Sequence, residues 1–161
     1  MTIRLATLTD LDRMMEIYRE AREMMAESGN PNQWPIGHPP RDRILMDIRE
    51  GCSHVLVEGG KVLAVFCLST SRDRTYDVID GAWLDDERYG VVHRIARTKN
   101  EKAKGVGTFC LGWCYERIGN IRIDTHRDNI PMRRLLEKLG YIHCGTIWLE
   151  NGDTRLAFQK N

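Results

Sequence analysis

Apolar and polar residues alternate with period two over residues 2–6, the pattern of a short strand. The period then changes. Leu11, Met14, Met15, Tyr18, Ala21 and Met25 recur at helical spacing, and Thr9 followed by Asp12 predicts a capped start. Ser28-Gly29-Asn30-Pro31 should end that helix, because glycine permits a left-handed cap and proline cannot continue the ladder. Residues 30–40 hold too many prolines for either regular element, and a second helix is expected over 41–49, with Ile44, Leu45 and Ile48 on one side. Strands are predicted at 53–58 and 61–70, joined by the turn residues Gly59-Gly60, and again at 76–84 and 89–97. A polar stretch, 98–104, leads to an amphipathic helix bearing Val106, Phe109, Cys110 and Trp113. A strand at 120–125, a helix at 131–139 opened by Pro131, and strands near 142–149 and 154–159 complete the chain. Asn151-Gly152-Asp153 supplies the last turn.

This order predicts an α/β fold in one domain spanning 1–161, with four helices and a mixed, largely antiparallel sheet of about seven strands. A length of 161 residues with 42% hydrophobic positions suits one core of ordinary size. Lysine and arginine total 24 against 23 aspartate and glutamate, which argues against a dedicated nucleic-acid binder. Five cysteines without a CxxC pair give no support to a zinc ribbon or a redox dithiol, and no metal site is expected. Buried free thiols fit a reducing compartment. The first residues enter a strand without a leader-like apolar region, and no apolar run approaches the roughly 20 residues of a membrane helix. The expectation is a cytoplasmic protein with no membrane or nucleic-acid partner. A homodimer stays open, since the last two strands can pair within one subunit or across two.

The segment richest in chemistry is Lys102-Ala103-Lys104-Gly105-Val106-Gly107-Thr108, which follows a strand and opens a helix. First-turn N–H groups lack intrahelical partners and carry the positive end of the helix dipole. Glycines let phosphates approach them, and lysines add full charges. The physical reading is a pyrophosphate turn; the plain alternative is a solvated, lysine-rich loop. Asp124 lies where a dinucleotide-binding βαβ unit would hold a ribose, but Cys110 replaces that motif's third glycine and the preceding strands are hairpin-linked. No Gly-Lys-Ser/Thr follows, so a Walker A loop is excluded.

Over nearly its whole length the chain resembles the GNAT superfamily of N-acetyltransferases. The family's coenzyme A loop reads Gln/Arg-x-x-Gly-x-Gly/Ala, and Lys102 to Gly107 matches it with lysine in the first position. The family pattern Asn-x-x-Ala-x-x-Leu-Tyr-x-Lys-x-Gly-Phe is similar to the run from Asn129 to Tyr141. The resemblance implies acetyl-CoA as acyl donor and a primary amine as acceptor, on a small molecule, a peptide N-terminus or a lysine. It also implies that the strand with Arg94, Ile95, Ala96 and Arg97 splays from the strand at 120–125. Donor contacts are then expected from Ile95, Ala96 and Arg97, from Lys102, Ala103, Lys104, Gly105, Val106, Gly107 and Thr108, and from Asn129 and Met132. The acceptor is expected beneath the 30–40 loop, with Trp34 and Trp83 as candidate walls; each has a packing role as its alternative.

An alkylamine has a pKa of about 10.4 and must lose a proton before attack. A backbone N–H near Ile95 or Ala96 is placed by the resemblance to polarise the thioester carbonyl. Leu136 stands where many members carry a tyrosine that protonates the leaving thiolate, and Tyr141 fills a packing slot. His93 and His126 are therefore the candidates for proton transfer, Asp128 being placed to orient His126; the alternative for both is a purely structural histidine. The absent tyrosine leaves a second function open, that of a non-catalytic coenzyme A-binding sensor or assembly module.

Overall fold

The computed structural model describes residues 1–161, apart from the side chain of Glu101. Its elements in chain order are β1 (Thr2–Leu5), α1 (Leu11–Glu27), α2 (Arg41–Arg49), β2 (Ser53–Glu58), β3 (Lys61–Ser69), β4 (Asp80–Gly81), β5 (Gly90–Arg97), α3 (Val106–Ile118), β6 (Ile121–Thr125), α4 (Ile130–Lys138), β7 (Ile142–Trp148) and β8 (Thr154–Lys160). The strands form one sheet of eight in the order β1-β2-β3-β5-β6-β8-β7-β4. Every pairing is antiparallel except β5 with β6. β7 and β8 pair with each other within the chain. No helix is long and apolar enough to cross a membrane.

Strand alternation sorts the core into two layers. Leu56, Phe66, Val92, Ile121, Ile123 and Phe158 face Val106, Cys110, Leu111 and Cys114 of α3 and Leu136 of α4. Val55, Val65 and Ala96, on the opposite face, meet Met14, Ile17, Tyr18 and Ala21 of α1 and Ile44 of α2. Leu136 and Tyr141 both lie in the first layer, so the leucine and the aromatic of the downstream pattern are core residues.

Two expectations about local structure need correction. The long strand expected over 76–84 is replaced by a 3-10 turn at Arg74–Tyr76 and the two-residue β4, which pairs with β7 at the sheet's far edge. Asp77, Asp80 and Gly81 break that stretch, and Gly81 meets Gly145 so closely that any Cβ there would collide with main chain. The start of α1 is also prepared earlier than expected. Asp10, not Asp12, accepts the Thr7 N–H at 2.8 Å and the Arg4 guanidinium at 2.7 and 2.9 Å. Those hydrogen bonds, the arginine's first, hold its carboxyl down at about 2 against the opposing effect of burial.

Candidate active site

Two irregularities in β5 create the site. Its parallel pairing with β6 covers Gly90 with Ile121 and Val91 with Arg122, and goes no further. Its pairing with β3 slips between Ala96 and His93, leaving Arg94 and Ile95 as a bulge. Arg94 has φ +50°, a left-handed conformation that an arginine adopts only when its surroundings compel it. Three contacts do so. Its guanidinium reaches the buried Asp47 carboxylate at 2.7 and 2.8 Å, and its carbonyl accepts the Tyr18 hydroxyl at 3.1 Å. Asp47 is itself held by Arg43 at 2.9 Å.

A cavity opens on each side of the splay. The first, of about 630 Å³, is lined by Ala21 and Met24 of α1, by Ile95, Ala96 and Arg97, by Gly105, Val106, Gly107 and Thr108 at the start of α3, and by Asn129, Met132 and Leu135. Gly105 has φ +80° at the N-cap of α3, a conformation that glycine takes without strain. A Cβ on Gly107 would lie 3.0 Å from Leu135, so the small residue keeps α3 and α4 close. A left-handed glycine, a free helix N-terminus and an adjoining unpaired strand edge fit a phosphate-bearing ligand with an amide-containing arm. Ala103 departs from the expected donor contacts, since it is fully buried in the core beneath the turn. Lys102 and Lys104 are exposed beside the turn.

The second cavity, of about 770 Å³, includes Trp34, Asp73, His93, Asp124, His126 and Arg155. Met25, Ile95, Asn129 and Met132 line both cavities, so the two meet at the bulge. The 30–40 loop forms part of the second wall. Trp34 packs edge-on against Tyr18 at 5.7 Å between ring centroids, which anchors the loop and presents the indole to the cavity together. Gln33 accepts from Asn30 at 2.8 Å and from Asn129 at 2.9 Å, tying the loop to α4. The Asn129 carbonyl oxygen meanwhile caps α4 through the Met132 N–H at 3.2 Å. Asn129 thus bridges loop and helix. Trp83 does not line this cavity: it packs on Tyr76, where its indole N–H donates to the Tyr76 carbonyl and Arg122 stacks over its ring.

The two histidines present opposite nitrogens. His93 Nε2 lies 3.0 Å from Asp73 Oδ2, so it donates there and leaves Nδ1 with a lone pair. Burial alone would raise the Asp73 carboxyl, but hydrogen bonds from His93 and Thr75 outweigh it and hold the group at about 2. His126 Nδ1 instead accepts the main-chain N–H of Asp128 at 3.0 Å. Its Nε2 therefore carries the proton, and burial keeps the ring on the neutral side. The Asp128 carboxylate is farther away, at 3.6 Å, so main chain and not the acid group orients this ring.

Asp73, Tyr76, Asp124 and Arg155 were not among the expected site residues. Asp124 is enclosed by protein except where it faces the cavity, and burial raises its pKa against the 2.7 Å hydrogen bond from Tyr76. A charged residue inside Ile121-Arg122-Ile123-Asp124-Thr125 is the signal that marks it, because strand interiors seldom carry one without a partner. Tyr76 opens the stretch expected to be strand, Asp73 lies in the connection before it, and neither carries such a mark. The thiols stand apart from this chemistry. Cys110 and Cys114 are buried in the core, and burial pushes the Cys110 thiol to about 12.

The model of the acetyltransferase (GNAT) family matches residues 11–141. The chain belongs to this family. It is 35% identical to an acetyltransferase of the GNAT family from Streptococcus agalactiae 2603, whose crystal structure superposes with a TM-score of 0.89 over 99% of this chain and 94% of that one. A curated relative, S-(2-succino)cysteine N-acetyltransferase from Bacillus subtilis, is 24% identical over 98% of this chain and 93% of its own length. A ribosomal-protein-alanine N-acetyltransferase from Brucella melitensis, 18% identical, shares the fold with a TM-score of 0.67 over 99% of this chain and 99% of that one. Family membership implies acyl transfer from acetyl-CoA and an amine acceptor. The fold by itself does not select that acceptor.

Proposed function

We propose that this protein is an N-acetyltransferase that carries an acetyl group directly from acetyl-CoA to the primary amine of a small molecule. The observation that carries this reading is the junction of two cavities at the β5 bulge, with Ile95, Asn129, Met25 and Met132 common to both. A donor held on the α3 side and an acceptor held on the other would meet there without a covalent enzyme intermediate. The Bacillus subtilis relative, named for S-(2-succino)cysteine, supports a small-molecule acceptor.

Gly105, Gly107 and Thr108 would hold the pyrophosphate, and the free edge of β5 would hold the pantetheine arm. Bound acetyl-CoA supplies an activated thioester carbonyl. His93 Nδ1 is the base for the acceptor ammonium, while Asp73 fixes the ring through Nε2. The neutral amine nitrogen then bonds to the carbonyl carbon, the carbon–sulfur bond breaks, and the second amine proton passes to water or to the departing thiolate. A thiol has a pKa of about 8.5, so the thiolate departs without a dedicated acid, consistent with buried Leu136 in the tyrosine position. A main-chain N–H at Ile95 or Ala96 is assigned to the developing oxyanion, a contribution of about 10²–10³ in rate.

Thermal-shift measurements with acetyl-CoA, coenzyme A and NAD, followed by thiol release with an amine panel, test the reading. Stabilisation by the two coenzyme A species and amine-dependent thiol release are expected. Stabilisation without turnover on any amine would instead support a coenzyme A sensor.

A further inference from the structure

The transfer chemistry leaves Asp124, Arg127, Asp153 and Arg155 of the second cavity unused, and of the two arginines only Arg155 is buried. Arg155, the second residue of β8, is only 6% exposed. Its guanidinium donates to two main-chain carbonyls, those of Thr154 at 2.8 Å and Gln33 at 3.3 Å. Among the described residues, no carboxylate oxygen lies within 4.0 Å of it. Arg94, in the same cavity wall, has the Asp47 carboxylate at 2.7 Å. Arg155 therefore feels the charges of Asp124 and Asp153 from a distance, but its guanidinium touches only main-chain carbonyls and has no carboxylate in direct contact. Arginine cannot relieve its burial by losing a proton, and five fork-like donors suit a planar anion better than carbonyls alone. β8 pairs with β6, and Asp124, opposite Ala157, faces the same cavity, where its carboxyl is engaged by the Tyr76 hydroxyl at 2.7 Å and not by Arg155.

The charges of the cavity are thus of two kinds. His93 with Asp73, and Asp124 with Tyr76, form an acidic and basic group on β5, β6 and the loop before β4. Arg155 supplies a buried positive charge from β8. We propose that the acceptor is a small amine that also bears a carboxylate, an amino-acid-like molecule whose carboxylate pairs with Arg155 while its amine is presented to His93. This rests on the acetyltransferase reading above and adds the acceptor's chemical class. A peptide N-terminus or a protein lysine offers no free carboxylate at that spacing, so the same group selects against them.

The test uses matched acceptors: amino acids, the corresponding carboxamides and the corresponding decarboxylated amines, each with acetyl-CoA and the full chain. The wild-type protein should favour the acids over their carboxamides by about tenfold or more in kcat/KM, chiefly through KM, the scale of one charge-assisted pair. In Arg155→Gln this ratio should fall toward unity, and Arg155→Lys should recover part of it. The acetyl-CoA thermal shift of both variants reports that they are folded and donor-competent. Equal rates for acids and carboxamides in the wild type, or an acid preference that survives in both variants, overturn the carboxylate assignment while leaving the acetyltransferase intact. No turnover with any acceptor and no acetyl-CoA shift overturn both readings together.

Discussion

On the α3 side of β5, the cavity is made largely of main chain: a left-handed glycine, a helix N-terminus and a strand edge released from β6. On the other side, side chains do the work, and they come from the 30–40 loop, the turn before β4, and strands β5, β6 and β8. The difference has a physical origin. A phosphate ligand needs N–H donors and room, which a short contiguous run with glycines provides anywhere a strand meets a helix. An acceptor pocket needs particular charges at particular places, and these are drawn from segments far apart in the chain. The first kind of site rests on a contiguous run of main chain, the second on side chains gathered from several segments.

The comparison breaks most severely if the structure between the cavities fails. Asp47→Ala leaves Arg94 charged, buried and unpaired, and should lower stability by about 3–5 kcal/mol, roughly 10 °C in Tm, with loss of acetyl transfer. Thermal denaturation checks it, and a variant as stable as the parent would show that the pair does not hold the bulge.

Within the acceptor cavity, His93→Ala should lower kcat/KM by about 10²–10⁴ while preserving the acetyl-CoA thermal shift. His126→Ala should lose far less, because its Nδ1 is already occupied by the Asp128 N–H. Comparable losses in both would remove the assignment of the base to His93. On the donor side, Gly107→Val should weaken acetyl-CoA binding by about tenfold through the clash with Leu135, read as KM for acetyl-CoA, with acceptor KM little changed.

The smallest effects are electrostatic and opposite in sign. Asp73, held at about 2, contributes about 2 kcal/mol of stability relative to an unfolded aspartate near 3.9. That contribution is present above about pH 4 and is lost as pH falls toward about 2. Asp124 is raised by burial, so its contribution is complete below about pH 4 and is lost as pH rises through its folded value. Acid denaturation of Asp73→Asn should therefore show a weaker loss of stability with acid, and Asp124→Asn the reverse change in slope. A common slope for both variants would mean that the two carboxylates experience the same surroundings.

Most elements were legible in the sequence because their signals are local. The helical spacing from Leu11 to Met25, the Gly59-Gly60 turn and Pro131 in the first turn of α4 each determine conformation through neighbours within a few residues. The glycine turn before α3 was legible for the same reason, since Gly105 to Thr108 are contiguous. Residues 76–84 misled because their alternation resembles a strand, while the contact that shapes them, Gly81 against Gly145, lies over sixty positions away.

The sequence alone therefore determined the helices, most strands and the glycine turn that opens α3, through periodicity, capping and glycine placement. Tertiary structure decided which nitrogen each histidine presents, that Trp34 lines the second cavity while Trp83 does not, and that Asp73, Asp124 and Arg155 share one cavity. Those outcomes depend on strand order and on the β5 bulge. Both are set by how distant segments bury their apolar faces together, and no local pattern encodes that.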